Sequence, residues 1–435
     1  MSDRYTVRRS SGPVDSILRP PGSKSITNRA LVCAALAPGA SRLSGVLYSE
    51  DTEVMLTALQ QLGADYSGSL RGGEVEITGT GGRLASGDHH LQVGNSGTTI
   101  RFLSSVATLG DGTIRLEGVA RMQQRPIQPL VDALQTLGVK ISCGPSGCPP
   151  VVIRACGLPG GRTSLDGSFS SQFLSGILMA APYAEEGVQV ETTGSLVSEP
   201  YLTMTTEVMK SFGVSVAGGP EPGYLVAGGQ QYSPTEFSIE PDATAASYLL
   251  AIPAITGGRV TVTGLGSGSI QGDLRFTDCL GEMGCRVTVE LDRITVEGRA
   301  ERGIDVDMSD MSDTVQTLAV VAMFVEGETV IRNVAHNRHK ETDRIGNLAA
   351  ELRKLGAVVQ EREDGLTISR GSQRPATLET YDDHRMAMSL SLAGLKIDGV
   401  IISDPDCTRK TYPDYFRDLE AVVETSQHSP GGDAR

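Results

Sequence analysis

Apolar and polar positions recur along this chain in one repeated phrase. ALQQLGADY (58–66), ALQTLGVKI (133–141), VMKSFGVSV (208–216), LGEMGCRV (280–287) and ELRKLGAVV (351–359) each read as the closing turns of a helix, a glycine and a β-branched run. The glycines stand at 63, 138, 213, 284 and 356, at intervals of 75, 75, 71 and 72 residues. Glycine just past a helix takes the left-handed cap without steric cost. A second apolar segment follows across a polar turn, in EVEITGTGG, PVVIRACG, GYLVAGG, RITVEGRA and GLTISRG, which predicts a β-hairpin behind each helix. Such a period exceeds the common solenoid repeats and holds a βαβαββ-like unit. A sixth helix is expected over 412–423, but the SQHSPGGDAR beyond it leaves no hairpin to make, so the matching strands would come from YTVRRSSGPVDSILRPPGS at the other end. Six units divide into three per domain: 22–239 as one, and 1–21 plus 240–435 as the other, with a hinge near 20–22 and 238–241.

The stretch 20–38, PPGSKSITNRALVCAALAP, predicts a helix that starts after a stiff turn, with Ser23 or Ser25 as its cap, and ends at Pro38-Gly39. Ile26, Ala30, Leu31, Ala34 and Ala37 would form its buried stripe, leaving Lys24, Asn28 and Arg29 around the opening turn, where the helix dipole favours an anion. A capped amphipathic helix with solvated charges fits the same residues. The GSKS is no nucleotide P-loop, because no glycine stands five residues before Gly22.

Length and composition narrow the setting. A chain of 435 residues is expected to hold two or three domains, and its 39% hydrophobic content describes a soluble globular protein. No apolar run approaches the roughly 18 residues of a membrane span, and MSDRYTVRRS lacks a secretory core, so a cytoplasmic location is expected. Seven cysteines, an odd number without a CxxC pair, do not make a disulfide framework. Cys143, Cys148 and Cys156 lie among Gly and Pro with no histidine nearby, which is not a metal-ligand pattern. A net charge of −14 argues against nucleic acid as a partner, so any bound anion must meet a local basic pocket.

Several stretches supply such groups. GNSGTTIR (94–101) places glycines and Arg101 before a predicted helix, and RMQQRP (121–126) sets two arginines four apart. Ser170-Ser171-Gln172 and Ser198-Glu199-Pro200-Tyr201 offer hydroxyls and an amide at helix starts, as anion ligands or as caps. Toward the C-terminus come NRHKETDR (337–344), in which Lys340 and Arg344 would share one helix face, DDHRMAM (382–388) and RKTYP (409–413). Any one of these is explained by a salt-bridged helix surface; three together are not.

In this order, PGSKSITNRA, GNSGTTIR, RMQQRPIQPLVDAL, SSQFLSG, SEPY, DATAASY, KETDR, DDHRMAM and KTYPDYF resemble the 5-enolpyruvylshikimate-3-phosphate synthase family over nearly the whole chain. The resemblance implies an α/β fold of two domains, each of three βαβαββ repeats, the inside-out barrel of enolpyruvyl transferases. It implies transfer of the enolpyruvyl group of phosphoenolpyruvate to the 5-hydroxyl of shikimate 3-phosphate in aromatic amino-acid biosynthesis, with no cofactor and no metal. Lys24, Ser25, Arg29, Ser170, Ser171, Gln172, Ser198, Tyr201, Asp313, His336 and Lys340 would hold shikimate 3-phosphate. Lys24, Asn95, Gly97, Thr98, Arg125, Gln172, Arg344, Arg385 and Lys410 would surround phosphoenolpyruvate. Lys24, Asp313, Glu341 and His384 would be catalytic, Glu341 as the acid at C3 of phosphoenolpyruvate and Asp313 and Lys24 handling the hydroxyl proton and the leaving phosphate. The resemblance also suggests a monomer, domain closure on anionic substrates, no membrane partner, and glyphosate as an inhibitor, since Gly97 lacks the methyl that would crowd it.

Two departures stand out: His336 replaces a common asparagine, and Phe102 replaces a common proline, which leaves the helix start behind Gly97 open. The rival enzyme, UDP-N-acetylglucosamine enolpyruvyl transferase, usually carries a reactive cysteine in the loop that here reads EGVARMQQRPI, and no cysteine lies between Cys33 and Cys143. A non-catalytic phosphometabolite-binding protein would be marked by loss of an acid or base, whereas Lys24, Asp313, Glu341 and His384 are all present.

Overall fold

Each of the five recurring glycines follows a helix with a positive φ, from 84° at Gly213 to 113° at Gly284, and turns the chain into the first strand of a hairpin. These observations come from a computed structural model that describes residues 3–194 and 196–425; the SQHSPGGDAR tail lies outside them. The chain divides into two compact units, Gly22–Glu240 and Met1–Pro21 with Pro241–Arg435, the boundary falling one residue after the expected 239.

Within the first unit, one module shows the plan of the rest. The strands His89–Gln92 and Asp111–Glu117 run parallel on either side of the helix Gly97–Val106. The helix Gln128–Thr136 then leads into the hairpin Lys140–Ser142 and Val151–Cys156, whose second strand lies antiparallel to Asp111–Glu117. This is βαβαββ with the fourth strand between the second and third. The strands Gly161–Asp166, Val188–Thr193, Ala217–Gly219 and Gly223–Val226 repeat it. The remaining module opens on the helix Lys24–Leu36, and its missing first strand is supplied by Glu236–Ser238, parallel to Pro38–Ser44.

The second unit uses the N-terminus to fill its gaps. Arg4–Thr6 pairs with Ile401–Ser403, giving the sixth module a three-stranded sheet. Val14–Leu18 does not join that sheet, as expected from the sequence, but lies parallel to Gly258–Thr263 in the fourth module. The reason is positional: the strand before the helix Ala243–Thr256 is already committed to the first unit, so the place beside Gly258–Thr263 is open to an apolar strand from elsewhere.

Helices fill the interior of each unit and sheets line it. In the second unit the helices Ala243–Thr256, Val315–Ala322 and His384–Gly394 are buried at every residue and pack on one another. A helix apolar all round is stable only in such a place. Three of their hydroxyls meet between them, Thr317 Oγ1 lying 3.3 Å from both Ser247 Oγ and Ser389 Oγ. In the first unit Gly97–Val106 packs against Ser171–Ala180 so closely that a Cβ on Gly176 would lie 2.7 Å from the Arg101 carbonyl oxygen. The Lys24–Leu36 helix is likewise buried from Ile26 to Leu36, not along the one stripe expected, so Asn28 and Arg29 are interior residues. Its apolar spacing looked amphipathic only because interior polar residues read as surface in a pattern. Among the described residues no helix is long and apolar enough to cross a membrane.

Candidate active site

Helix starts converge in the first unit. Ser23 caps Lys24–Leu36, Ser96 caps Gly97–Val106 and Ser170 caps Ser171–Ala180, each hydroxyl accepting a backbone N–H. Unpaired N–H groups and dipoles at such ends favour anions. Arg29, 1% exposed, ties these helices together. Its Nε donates to Thr205 Oγ1 at 2.7 Å, and its terminal nitrogens donate to the carbonyls of Ser25 and Tyr201 and to Ser175 Oγ, at 2.9, 3.1 and 3.4 Å. The guanidinium lies over the Phe102 ring at 5.1 Å and near the Tyr201 ring at 6.0 Å. All these partners are neutral, and burial pushes the Arg29 pKa down to about 10, so it stays a cation at pH 7. Phe102 therefore does not disturb the helix behind Gly97; it runs unbroken through that residue and offers Arg29 an aromatic face.

The other predicted groups of this unit line the same helix starts. Lys24 Nζ pairs with Asp51 Oδ2 at 3.3 Å. Arg125, 3% exposed, donates to the Asn95 carbonyl at 3.2 Å and packs its guanidinium against Gly97, beside the buried Thr98. Arg121, its neighbour in the motif, is half-buried and bonds Gln124. Arg101 holds the Gln172 side-chain carbonyl at 2.6 Å, which leaves the Gln172 NH₂ as the end able to donate. Ser171 and Ser198 are buried, and Ser198 takes a positive φ of 57° at the turn before the helix Pro200–Ser211.

In the second unit four cations surround three carboxylates. Asp313 accepts from Lys340 Nζ at 3.0 Å and Arg344 at 3.1 Å through Oδ1, and from Arg385 at 2.8 Å through Oδ2. Burial alone would raise the Asp313 carboxyl; Arg385, Lys340 and Arg344 outweigh it and hold it well below the usual range. Arg344, 1% exposed, also meets Asp383 through Nε and NH2 at 2.7 and 3.1 Å and Glu341 at 2.8 Å. Glu341 lies between Arg344 and Lys410 Nζ, the latter at 3.6 Å. His384 Nδ1 lies 3.6 Å from Asp383 Oδ1, and Arg385 donates to Tyr248 Oη at 3.2 Å. Burial, helped by Lys340, pushes His336 down to about 3, so this imidazole is neutral at pH 7.

Lys340 and Arg344 do not share a helix face, contrary to the sequence reading. Residues Ala335–His339 form a 3₁₀ turn and the α-helix begins only at Gly346. Asp343 caps that later helix by accepting from the N–H groups of Ile345 and Gly346, which competes with an earlier start. The buried Asn337 pins the loop to Ser312 by donating to its carbonyl at 2.8 Å, so Lys340 and Arg344 reach Asp313 from a loop instead.

Sequence reasoning missed Asp383, Tyr248 and Asp51 as members of these clusters. Asp383 was visible as one of two adjacent acids, but a pattern does not tell which is buried; Asp382 is exposed and Asp383 fully buried. Tyr248 closes the DATAASY motif but was given no role there, and Asp51 carried no signal beyond its helix.

Residues 8–419 match the family model described as EPSP synthase (3-phosphoshikimate 1-carboxyvinyltransferase). A protein of that enzyme name from Trichormus variabilis is 44% identical over 416 residues, covering 95% of this chain and 98% of the relative. One from Photobacterium damsela subsp. piscicida is 47% identical over 406 residues, covering 92% and 95%. The solved structure of EPSP synthase from Acinetobacter baumannii superposes with a TM-score of 0.81 at 28% identity, over 96% of this chain and 97% of that one.

Proposed function

Because the chain belongs to the EPSP synthase family, we propose that its two clusters of charged groups bind the substrates and move the protons of enolpyruvyl transfer from phosphoenolpyruvate to shikimate 3-phosphate. The observation that carries this reading is Arg29, a buried cation whose partners among the described residues are all neutral. Four of its five N–H groups are used, and a buried charge of this kind favours an incoming anion.

In the first unit, Ser25, Arg29, Ser170, Ser171, Gln172, Ser198 and Tyr201 hold shikimate 3-phosphate, while Lys24, Asn95, Gly97, Thr98 and Arg125 meet phosphoenolpyruvate. In the second, Arg344, Arg385 and Lys410 meet the carboxylate and phosphate of phosphoenolpyruvate, and Asp313, His336 and Lys340 face shikimate 3-phosphate. The 5-hydroxyl oxygen attacks C2 of phosphoenolpyruvate as it loses its proton, and C3 gains one from Glu341. The resulting tetrahedral intermediate expels phosphate from C2 as Glu341 takes a proton back from the C3 methyl, restoring the double bond. Asp313 and Lys24 exchange the hydroxyl and phosphate protons, and His384 supports the acid–base set beside Asp383. Fixed cations stabilise the charge that develops on phosphate and carboxylate.

Glyphosate, an anion at the phosphoenolpyruvate groups, acts as an inhibitor in this reading, supported by the absence of a side chain at Gly97. The protein works as a monomer in the cytoplasm, a setting suited to its seven free cysteines. Phosphate release from phosphoenolpyruvate, measured with shikimate 3-phosphate and separately with UDP-N-acetylglucosamine, tests the proposal. Release with the first acceptor only is expected; release with the second only, or with neither, would overturn it.

A further inference from the structure

The turn that presents Asp383 is strained. Tyr381 and Asp382 stand at φ of 56° and 54°, a left-handed conformation that side chains disfavour, and they do so consecutively. Such strain persists only where the surroundings over-determine it. Here the turn closes on its own backbone bond, Asp383 N–H to the Thr380 carbonyl at 2.9 Å, and one buried carboxylate fastens it to a neighbouring helix. Glu351, fully buried in the helix Gly346–Lys354, accepts from the Tyr381 hydroxyl at 2.6 Å through Oε1 and from the Glu379 N–H at 3.0 Å through Oε2. The same Oε2 pairs with Lys354 Nζ at 2.8 Å. The approach to the bend and its first residue are thus fastened, at Glu379 and Tyr381, to a single side chain of a rigid element.

Directly after the bend comes the charged cluster. Asp383 Oδ1 accepts the Arg385 N–H at 2.9 Å and so caps the helix His384–Gly394, while its two oxygens grip Arg344. A shift of Asp383 would carry both arginines with it. Glu351 sits behind this layer, bonded to none of the residues assigned to substrate.

We propose that Glu351 and Tyr381 are positioning residues of the reaction: they hold the 381–382 bend in its strained form and thereby aim Arg344 and Arg385 at phosphoenolpyruvate. This rests on the reading of those two arginines as phosphoenolpyruvate-binding groups. The exposed Asp382 provides an independent handle, because glycine there adopts the same backbone without strain and needs no clamp to keep it.

The test is steady-state kinetics and thermal unfolding of the full chain carrying Glu351→Gln, Tyr381→Phe, Asp382→Gly, and Glu351→Gln with Asp382→Gly. Glu351→Gln is expected to raise KM for phosphoenolpyruvate by about tenfold, the scale of one lost charge-assisted hydrogen bond, with a smaller rise for Tyr381→Phe. KM for shikimate 3-phosphate should stay near wild type. Asp382→Gly alone should leave both constants near wild type and, combined with Glu351→Gln, should recover most of the lost affinity. A purely structural Glu351 would lower Tm without separating the two KM values, and that result would overturn the proposal, as would a failure of Asp382→Gly to rescue. Should Glu351→Gln not fold, Tyr381→Phe, which removes one hydroxyl from a partly exposed ring, carries the same test. Arg385→Gln is the control: a raised KM for phosphoenolpyruvate there with none in Glu351→Gln or Tyr381→Phe defeats the clamp and keeps the site. An unchanged KM in Arg385→Gln defeats the site reading itself.

Discussion

Replacing Gly97 by alanine sets a single methyl against the charge expected to meet phosphoenolpyruvate. Gly97 opens the helix Gly97–Val106 outside the left-handed region, so its backbone accepts alanine. A Cβ there would lie 2.5 Å from one terminal nitrogen of Arg125, 2.9 Å from Cζ and 3.0 Å from the other nitrogen. Ordinary contact is about 3.5 Å, so the guanidinium must retreat by about 1 Å. Arg125 is 3% exposed and donates to the Asn95 carbonyl at 3.2 Å, so a retreat of that size breaks the bond that aims it. A hydrogen bond from a charged group is worth about 1.5–3 kcal/mol, which corresponds to roughly a ten- to hundredfold rise in KM for phosphoenolpyruvate. Helix propensity returns up to about 1 kcal/mol, so the folded state should change little in stability. Initial rates at saturating shikimate 3-phosphate, with urea unfolding of the same preparation, make the measurement. Glyphosate inhibition should weaken in parallel. A wild-type KM for phosphoenolpyruvate would refute the reasoning, because it would mean that Arg125 does not meet this substrate or that its displacement costs nothing.

Asp383→Ala removes two hydrogen bonds from the buried Arg344, which keeps Asp313 and Glu341 as partners, so urea unfolding should show a loss of about 1.5–3 kcal/mol. His336 makes folding pH-dependent: its folded pKa of about 3 lies below the unfolded value, so the unfolded chain binds the extra proton and stability falls as pH drops from about 6.5 toward 3. The wild type should therefore lose more stability across that window than His336→Asn, and a pH-independent difference between the two would contradict the assignment. Arg29→Lys keeps the charge but loses the fork that bonds Thr205, Ser175 and two carbonyls, so KM for shikimate 3-phosphate should rise at least about tenfold with that for phosphoenolpyruvate little changed.

The repeat was legible because each module announces itself with a cap, and the cap has a physical cause. Gly63, Gly138, Gly213, Gly284 and Gly356 sit where the chain leaves a helix in the left-handed region. Strand exchange was harder to read. Glu236–Ser238 and Val14–Leu18 are ordinary short strands, and only the vacancy beside a partner strand decides which sheet each joins. The charged motifs were found in sequence, yet their arrangement was not. Arg29 and Arg121 look alike in a pattern, and one is fully enclosed by Phe102, Ser175 and Thr205 while the other is only half-buried. Likewise the pairing of Lys340 and Arg344 comes from a loop pinned by Asn337 rather than from helical spacing, because Asp343 delays the helix to Gly346.

Glu341 is the point on which the account turns, a buried carboxylate between Arg344 and Lys410 that is assigned the proton at C3. Its most direct test is solvent deuterium exchange into the methylene of phosphoenolpyruvate in the presence of shikimate 3-phosphate, for wild type and Glu341→Gln. The account predicts exchange in the wild type and its loss in a variant that still binds both substrates. Undiminished exchange in Glu341→Gln would contradict it and move the proton to another group.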